Sequence, residues 1–285
     1  MLFADHALAW NLERAEAWSN AEYAAAWRRL HPDSVALSMR IADGLAVFTG
    51  TDSPLNQVIG LGMNGVVPGE DINSLERFFA ERNAPTRILL CPLAHPTLLP
   101  ELSARGYRPV EFENVMARPL TIAAPEQPPA ADPTWPAALL RAEAAFSGIT
   151  VRPVNPSEQH AYAQLVADGF SAPQPPRPVD VVLAGVPLAM DKTICLLALL
   201  EGQPAGGGAL ALYEGVAVIF GGSTLAVCRG RGIQSALLRE RLALATEHGC
   251  RWAVAGALPG GRSQHNLEYL GFQVAYTKVM MVKEP

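Results

Sequence analysis

The segment with the most explicit chemistry runs Ser223-Thr224-Leu225-Ala226-Val227-Cys228-Arg229-Gly230-Arg231-Gly232-Ile233-Gln234-Ser235-Ala236-Leu237-Leu238. An apolar strand empties into a glycine-rich turn, and the turn opens a helix with an apolar stripe. The first turn of a helix leaves backbone N–H groups without partners, and the macrodipole adds partial positive charge there. Glycines let the backbone approach a phosphate closely, and Arg229 and Arg231 bring two full charges. A pyrophosphate is the natural ligand of such a turn. Two other phosphate turns are excluded. A dinucleotide-binding turn requires GxGxxG after a parallel strand with an acidic residue about 20 positions on. A P-loop requires GxxxxGK[ST], which is absent.

The elements that must hold this turn follow from periodicity. Residues 193–202, 205–215 and 216–227 read as an antiparallel meander of apolar strands, punctuated at Gly202-Gln203-Pro204, Gly206-Gly207-Gly208 and Glu214-Gly215. Upstream, 149–154 alternates like a strand, and 157–170 has Ser157 at its start and apolar residues at helical spacing. A proline-rich loop covers 172–178, and 179–190 holds a short helix. Downstream come a helix over 232–249, a strand over 251–258, a helix over 263–270 and a strand over 272–282. The order is β-α-(α)-β-β-β-α-β-α-β.

The stretch from Thr121 to Pro136, with prolines at 125, 128, 129, 133 and 136, favours an extended connector. The halves on either side echo each other. Gly106-Tyr107 and Gly271-Phe272 each lead into an alternating stretch with Val-Met at offsets one residue apart. Each is preceded by a short helix (98–106 and 263–271), a short strand (87–93 and 251–258) and a longer helix (72–83 and 232–249). Such a repeat predicts a duplication. At the place of the phosphate turn, the first half has Pro68-Gly69-Glu70-Asp71-Ile72-Asn73, whose carboxylates would repel a pyrophosphate.

Composition narrows the class. Of 285 residues, 49% are apolar and 17% charged, against the usual ~25% charged. No run reaches the roughly 18 uninterrupted apolar residues of a membrane-spanning helix. The start, Met1 to Arg14, lacks the basic opening of a secretory signal and meets Asp5 at once. The four cysteines (Cys91, Cys195, Cys228 and Cys250) form no CxxC pair and read as reduced thiols. Net charge −5 and pI near 5.7 exclude the basic face of a nucleic-acid binder. His248 and His265 have no second ligand at metal spacing, so no metal is expected. The expectation is a cytoplasmic protein with no membrane segment.

From 149 to 285 the element order, Arg229 with Gly232, the Pro259–Asn266 segment and Gly271-Phe272 resemble the GNAT (Gcn5-related N-acetyltransferase) superfamily, whose pyrophosphate signature is [Q/R]-x-x-G-x-[G/A]. Gln234 stands where the last small residue belongs, a departure that a cradle of backbone amides tolerates. The resemblance implies an α+β GNAT (acyl-CoA N-acyltransferase) fold, a mixed, mostly antiparallel sheet flanked by helices. With the repeat, that fold is expected twice: a degenerate copy over 1–120, a proline-rich linker and connecting helix over 121–148, and a CoA-binding copy over 149–285.

What the resemblance implies for the site is concrete. Acetyl-CoA lies between splayed strands, its pantetheine arm pairing with the backbone near Gly222, Ser223 and Thr224. Its pyrophosphate meets the amides of Arg229, Gly230, Arg231, Gly232, Ile233, Gln234 and Ser235. Asn266 meets the pantetheine or the thioester carbonyl. A tyrosine four residues before Gly271 is the family's usual acid, but Leu267 occupies that position and Tyr269 sits two before. Ser263 and Asn266, three apart on one helix face, join Tyr269 as catalytic candidates. No glutamate lies on strand 216–227, and Glu214 in the preceding turn is the nearest carboxylate. Cys228 reads as packing. The implied function is acetyl transfer to an amine of unknown identity, small molecule or peptide, with an acceptor pocket over residues 168–190. The alternative is a non-catalytic acyl-CoA-binding regulatory pseudoenzyme. A homodimer through the N-terminal copy is a further expectation.

Overall fold

The computed structural model describes residues 2–51, 53–120 and 148–285. The linker and connecting helix expected over 121–148 lie outside the described residues except for Gly148. The chain divides into two units. Met1–Arg118, Ala189–Lys192 and Val254–Pro285 form the first, and Pro119–Leu188 with Thr193–Ala253 form the second.

In the first unit α1 (His6–Leu30) starts at Asp5, whose side chain accepts from the Leu8 N–H. Its buried face, Leu8, Leu12 and a series of alanines, lies on the strands β1 (Leu37–Ile41), β2 (Gly44–Phe48) and β3 (Gln57–Ile59). Next come α2 (Gly69–Ala80), β4 (Thr86–Leu90), α3 (Leu98–Ala104) and β5 (Arg108–Pro119). β3 and β4 pair in parallel and the other described pairs are antiparallel, so the sheet is mixed. The final strand of the chain, β11 (Gln273–Lys283), closes this unit: it runs antiparallel to β4 on one side and β5 on the other. Expected as the last strand of the second half, it groups with the first.

A buried ionic cluster explains that choice. Tyr276 and Lys278 of β11 reach α1. The tyrosine hydroxyl donates to Glu13 at 2.7 Å, and the Lys278 ammonium lies 3.0 Å from Glu13 and 2.7 Å from Glu16. Glu113 stands opposite Lys278 on β5, against Gly256, where a Cβ would come within 2.8 Å of its carboxyl. Burial, then Glu16, pushes the Glu113 carboxyl up to about 7. Burial opposes the charge of Lys278, but Glu13, Glu16 and Glu113 outweigh it and raise its pKa.

In the second unit β6 (Ile149–Pro153), β7 (Thr193–Leu200), β8 (Gln203–Tyr213) and β9 (Val216–Thr224) form an antiparallel meander. Both faces are covered, which accounts for the unbroken apolar run. On one face Cys195, Leu197 and Ala209 meet Tyr162, Leu165 and Val166 of α4 (Gln159–Ser171). On the other, Leu196, Ala198, Leu200 and Ala205 meet Ile233 and Leu237 of α6 (Ile233–Glu247). Ser157 does not cap α4. It lies in a 3-10 turn, Pro156–Glu158, which Asn155 caps and where the Glu158 carboxylate accepts from the Asn155 N–H. α5 (Pro178–Gly185) begins on a proline, a favoured first helical residue. The division between units falls within β10 (Trp252–Ala257), and α7 (Arg262–Tyr269) belongs to the first unit. Among the described residues no helix is long and apolar enough to cross a membrane.

Candidate functional site

β9 ends in a bulge. Gly207 pairs with Ser223 and Ala209 with Phe220, so Gly208 alone faces Gly221 and Gly222. The extra residue is taken up by a local left-handed conformation, which Gly221 supplies at φ +62°. The expected contact residues divide here. The Ser223 hydroxyl is buried and donates to the Val166 carbonyl of α4 at 2.9 Å, so only its backbone is free to meet a ligand. The Thr224 Oγ1 is buried and has no partner among the described residues.

Beyond β9 a 3-10 turn, Ala226–Cys228, leads to Arg229, Gly230 (φ +75°), Arg231 and Gly232. Gly232, left-handed at φ +85° and ψ −1°, is the N-cap of α6. The first described bond of the helix runs from the Ala236 N–H to the Gly232 carbonyl. Among the described residues no side chain caps the amides before it, and its first turn holds no acidic residue. The amides of Ile233, Gln234 and Ser235 therefore open α6 as an uncapped positive end. Arg231 is half exposed, 3.9 Å from Glu201. Arg229 is spent differently: its guanidinium donates to the Gly169 carbonyl at 2.7 Å, closing the last turn of α4. The extra bulk of Gln234 has an explanation too. Its carboxamide lies over Gly222, where a Cβ would meet Nε2 at 2.5 Å. A glycine on the strand compensates for the missing small residue on the helix.

The other candidates belong to other elements. Glu214 is in the turn at the opposite end of β9 from Thr224, roughly 30 Å along the strand. His248 follows the far end of α6, bonded to the Leu244 carbonyl at 2.8 Å. Ser263, Asn266 and Tyr269 lie on α7 in the first unit, with Ser263 and Tyr269 exposed and Asn266 half-buried. Gly261, not Ser263, is the N-cap of that helix. Sequence reading passed over Gln264, which fixes α7 by accepting from the Gly260 N–H at 2.8 Å and from the Asn114 side chain at 3.1 Å. It also passed over Arg241, fully buried beside the β9 bulge.

The corresponding turn of the first unit differs in charge. Pro68 is the N-cap of α2, and Glu70 and Asp71 occupy its first turn.

No protein-family model matches this chain, and no curated protein does. Solved structures do. A GCN5-related N-acetyltransferase from Kribbella flavida aligns over 93% of this chain and 96% of its own, with TM-score 0.56 and 19% identity. A GCN5-related N-acetyltransferase from Sphaerobacter thermophilus aligns over 87% of this chain and 76% of its own, with TM-score 0.53 and 21% identity. A functionally unknown conserved protein from Staphylococcus epidermidis aligns over 90% of this chain and 97% of its own, with TM-score 0.55 and 12% identity. At such identities the likeness is one of fold. The chain has the fold of the GCN5-related N-acetyltransferases.

Proposed function

We propose that the second unit binds an acyl-CoA, acetyl-CoA foremost, and that the protein transfers the acyl group to an amine. The observation that carries this reading is the turn at 229–235. Three uncapped amides stand behind a left-handed glycine, with no acidic residue in the first turn of the helix, at the end of a bulged strand. Those donors suit a pyrophosphate. Ile233, Gln234 and Ser235 would hold it through their N–H groups, Gly230 and Gly232 would let it approach, and Arg231 would add charge. The backbone of Gly222, Ser223 and Thr224 would pair with the pantetheine arm. When bound, the cofactor supplies a thioester carbon open to attack. Transfer forms a C–N bond to the amine, breaks the C–S bond and moves one proton from nitrogen to sulfur.

Asn266, Ser263 and Tyr269 are the side chains proposed to assist that proton transfer, and residues 168–190 to shape the acceptor pocket. The first unit is read as a degenerate copy that binds no CoA, since Glu70 and Asp71 stand where a pyrophosphate would sit. Calorimetric titration with acetyl-CoA tests the reading. Wild-type protein should bind, and Gly232→Asp should weaken binding by about a hundredfold or more, because it strains a left-handed position and places a carboxylate before the amides. No binding, or full affinity in the variant, would overturn it.

One observation favours binding without catalysis: β9 carries no carboxylate, and Ser263 and Tyr269 are exposed. A panel of amines scored for free-thiol release separates the readings, since a pure binder releases none.

A further inference from the structure

Arg241 is 1% exposed and, among the described residues, makes no ion pair. Burial draws its guanidinium down to about 10, and Tyr162 opposes that shift. A leucine or methionine would fill the space without a desolvated charge, so packing does not account for an arginine here.

Its hydrogen bonds point to the bulge. Nε donates to the Leu237 carbonyl of its own helix at 3.0 Å. Nη1 donates to the Phe220 carbonyl at 3.2 Å and, more weakly, to the Ala209 carbonyl at 3.4 Å. Phe220 and Ala209 are the last pair before the register slips. The backbone on both strands makes room for the guanidinium. A Cβ on Gly208 would lie 3.0 Å from Nη1, and one on Gly222 would lie 3.4 Å from Nη2. Nη2 is buried and has no partner among the described residues, as is Thr224 Oγ1 at the end of the same strand. Among the described residues the cation is thus spent on backbone carbonyls, two of them at the bulge, and keeps a donor in reserve beside Gly222.

We propose that Arg241 is a positioning residue: by holding the Phe220 carbonyl on the α6 side, it fixes the bulge and so aims the Gly221–Thr224 backbone at the pantetheine arm of an acyl-CoA. This rests on the reading of the second unit as an acyl-CoA site. The prediction is selective. The hydrogen bonds of Arg241 go to Leu237, Phe220 and Ala209 and to none of residues 229–235, so a ligand carrying only the diphosphate end should ignore Arg241.

The test compares acetyl-CoA with 3′-phosphoadenosine 5′-diphosphate, which lacks pantetheine, by calorimetry on wild type, Arg241→Met, Arg241→Lys and Gly208→Ala. Arg241→Met should weaken acetyl-CoA binding about tenfold or more and leave the shorter ligand within about twofold. Arg241→Lys, which keeps a cationic donor nitrogen, should recover much of the loss. Gly208→Ala, whose Cβ would meet the guanidinium at 3.0 Å, crowds it without removing it and should reproduce the selective loss, which covers the case in which Arg241→Met does not fold. Equal losses of both ligands, or no loss of acetyl-CoA in folded Arg241→Met or Gly208→Ala, would overturn the role of Arg241 alone. If wild type binds neither ligand, the acyl-CoA reading falls, and this role falls with it.

Discussion

Lys278 in the first unit and Arg241 in the second are both buried cations, but their surroundings differ. Lys278 sits 3.0 Å from Glu13 and 2.7 Å from Glu16, with Glu113 opposite it. Among the described residues Arg241 has backbone carbonyls alone and an unused Nη2. The helix starts differ in the same sense: α2 opens on Glu70 and Asp71, whereas α6 opens on free amides with no acid in its first turn. The first unit pairs its buried ammonium with carboxylates, which fixes a strand from the far end of the chain. The second leaves donors unsatisfied near one strand end. Unsatisfied donors cost stability, and a bound anion or carbonyl recovers that cost.

Removing the cations should separate these roles most strongly. Lys278→Met leaves Glu13 buried without its partner and should cost about 3–5 kcal/mol in chemical denaturation. Arg241→Met breaks no ion pair, and its loss should be less than half as large. Equal losses would show that the two cations serve stability alike.

The helix starts offer the next contrast. Gln234→Glu with Ser235→Asp gives α6 the acidic opening of α2. Acetyl-CoA affinity should fall about tenfold to a hundredfold, and added salt should narrow the gap because the repulsion is screened. Affinity unchanged at low salt would mean that the amides of α6 are not what holds the ligand.

The carboxylate-rich interior of the first unit also predicts a pH dependence. Glu113 titrates at about 7 when folded, above its ordinary 4.5, chiefly through burial. The folded state therefore binds the proton more tightly. Its stabilising effect is complete below about 4.5 and is lost as pH rises through about 7, by on the order of 1–3 kcal/mol. In Glu113→Gln this slope between pH 4.5 and 7 should flatten. A slope unchanged in the variant would assign it to Glu13, whose carboxyl is raised mainly by burial and partly restrained by Lys278.

The second unit was legible because its elements carry period and punctuation: the meander, the helix from 233 and the turn before it stand within two or three residues of where the pattern puts them. The first was less so. α1 buries alanines together with Glu13 and Ser19, so it lacks the apolar stripe that marks a helix. β11 alternates like any strand, and alternation does not say which neighbours it pairs with. That choice is made by Glu13, 263 positions from Tyr276. Glycines misled in a physical way. Gly206-Gly207-Gly208 reads as a break but lies inside β8, flattened because Ile233, Tyr162 and Arg241 each press on one of the three. Arg241 itself follows Arg239 and Glu240 and reads as part of a solvated face. Arg229, assigned to a phosphate by type and place, is engaged at Gly169.

Ser223 provides the finest test of that gap between type and geometry. By position it belongs to the ligand edge of β9, but its hydroxyl points to α4 and donates to Val166 at 2.9 Å. α4 approaches so closely that a Cβ on Gly169 would overlap the Ser223 oxygen. Ser223→Ala should therefore cost about 1 kcal/mol of stability, the value of one buried hydrogen bond whose carbonyl partner keeps its helical bond. Acetyl-CoA affinity should stay within about twofold, because the pairing edge is backbone. A large loss of affinity with little loss of stability would place the hydroxyl on the ligand, and would mean that the α4 contact gives way when the ligand binds.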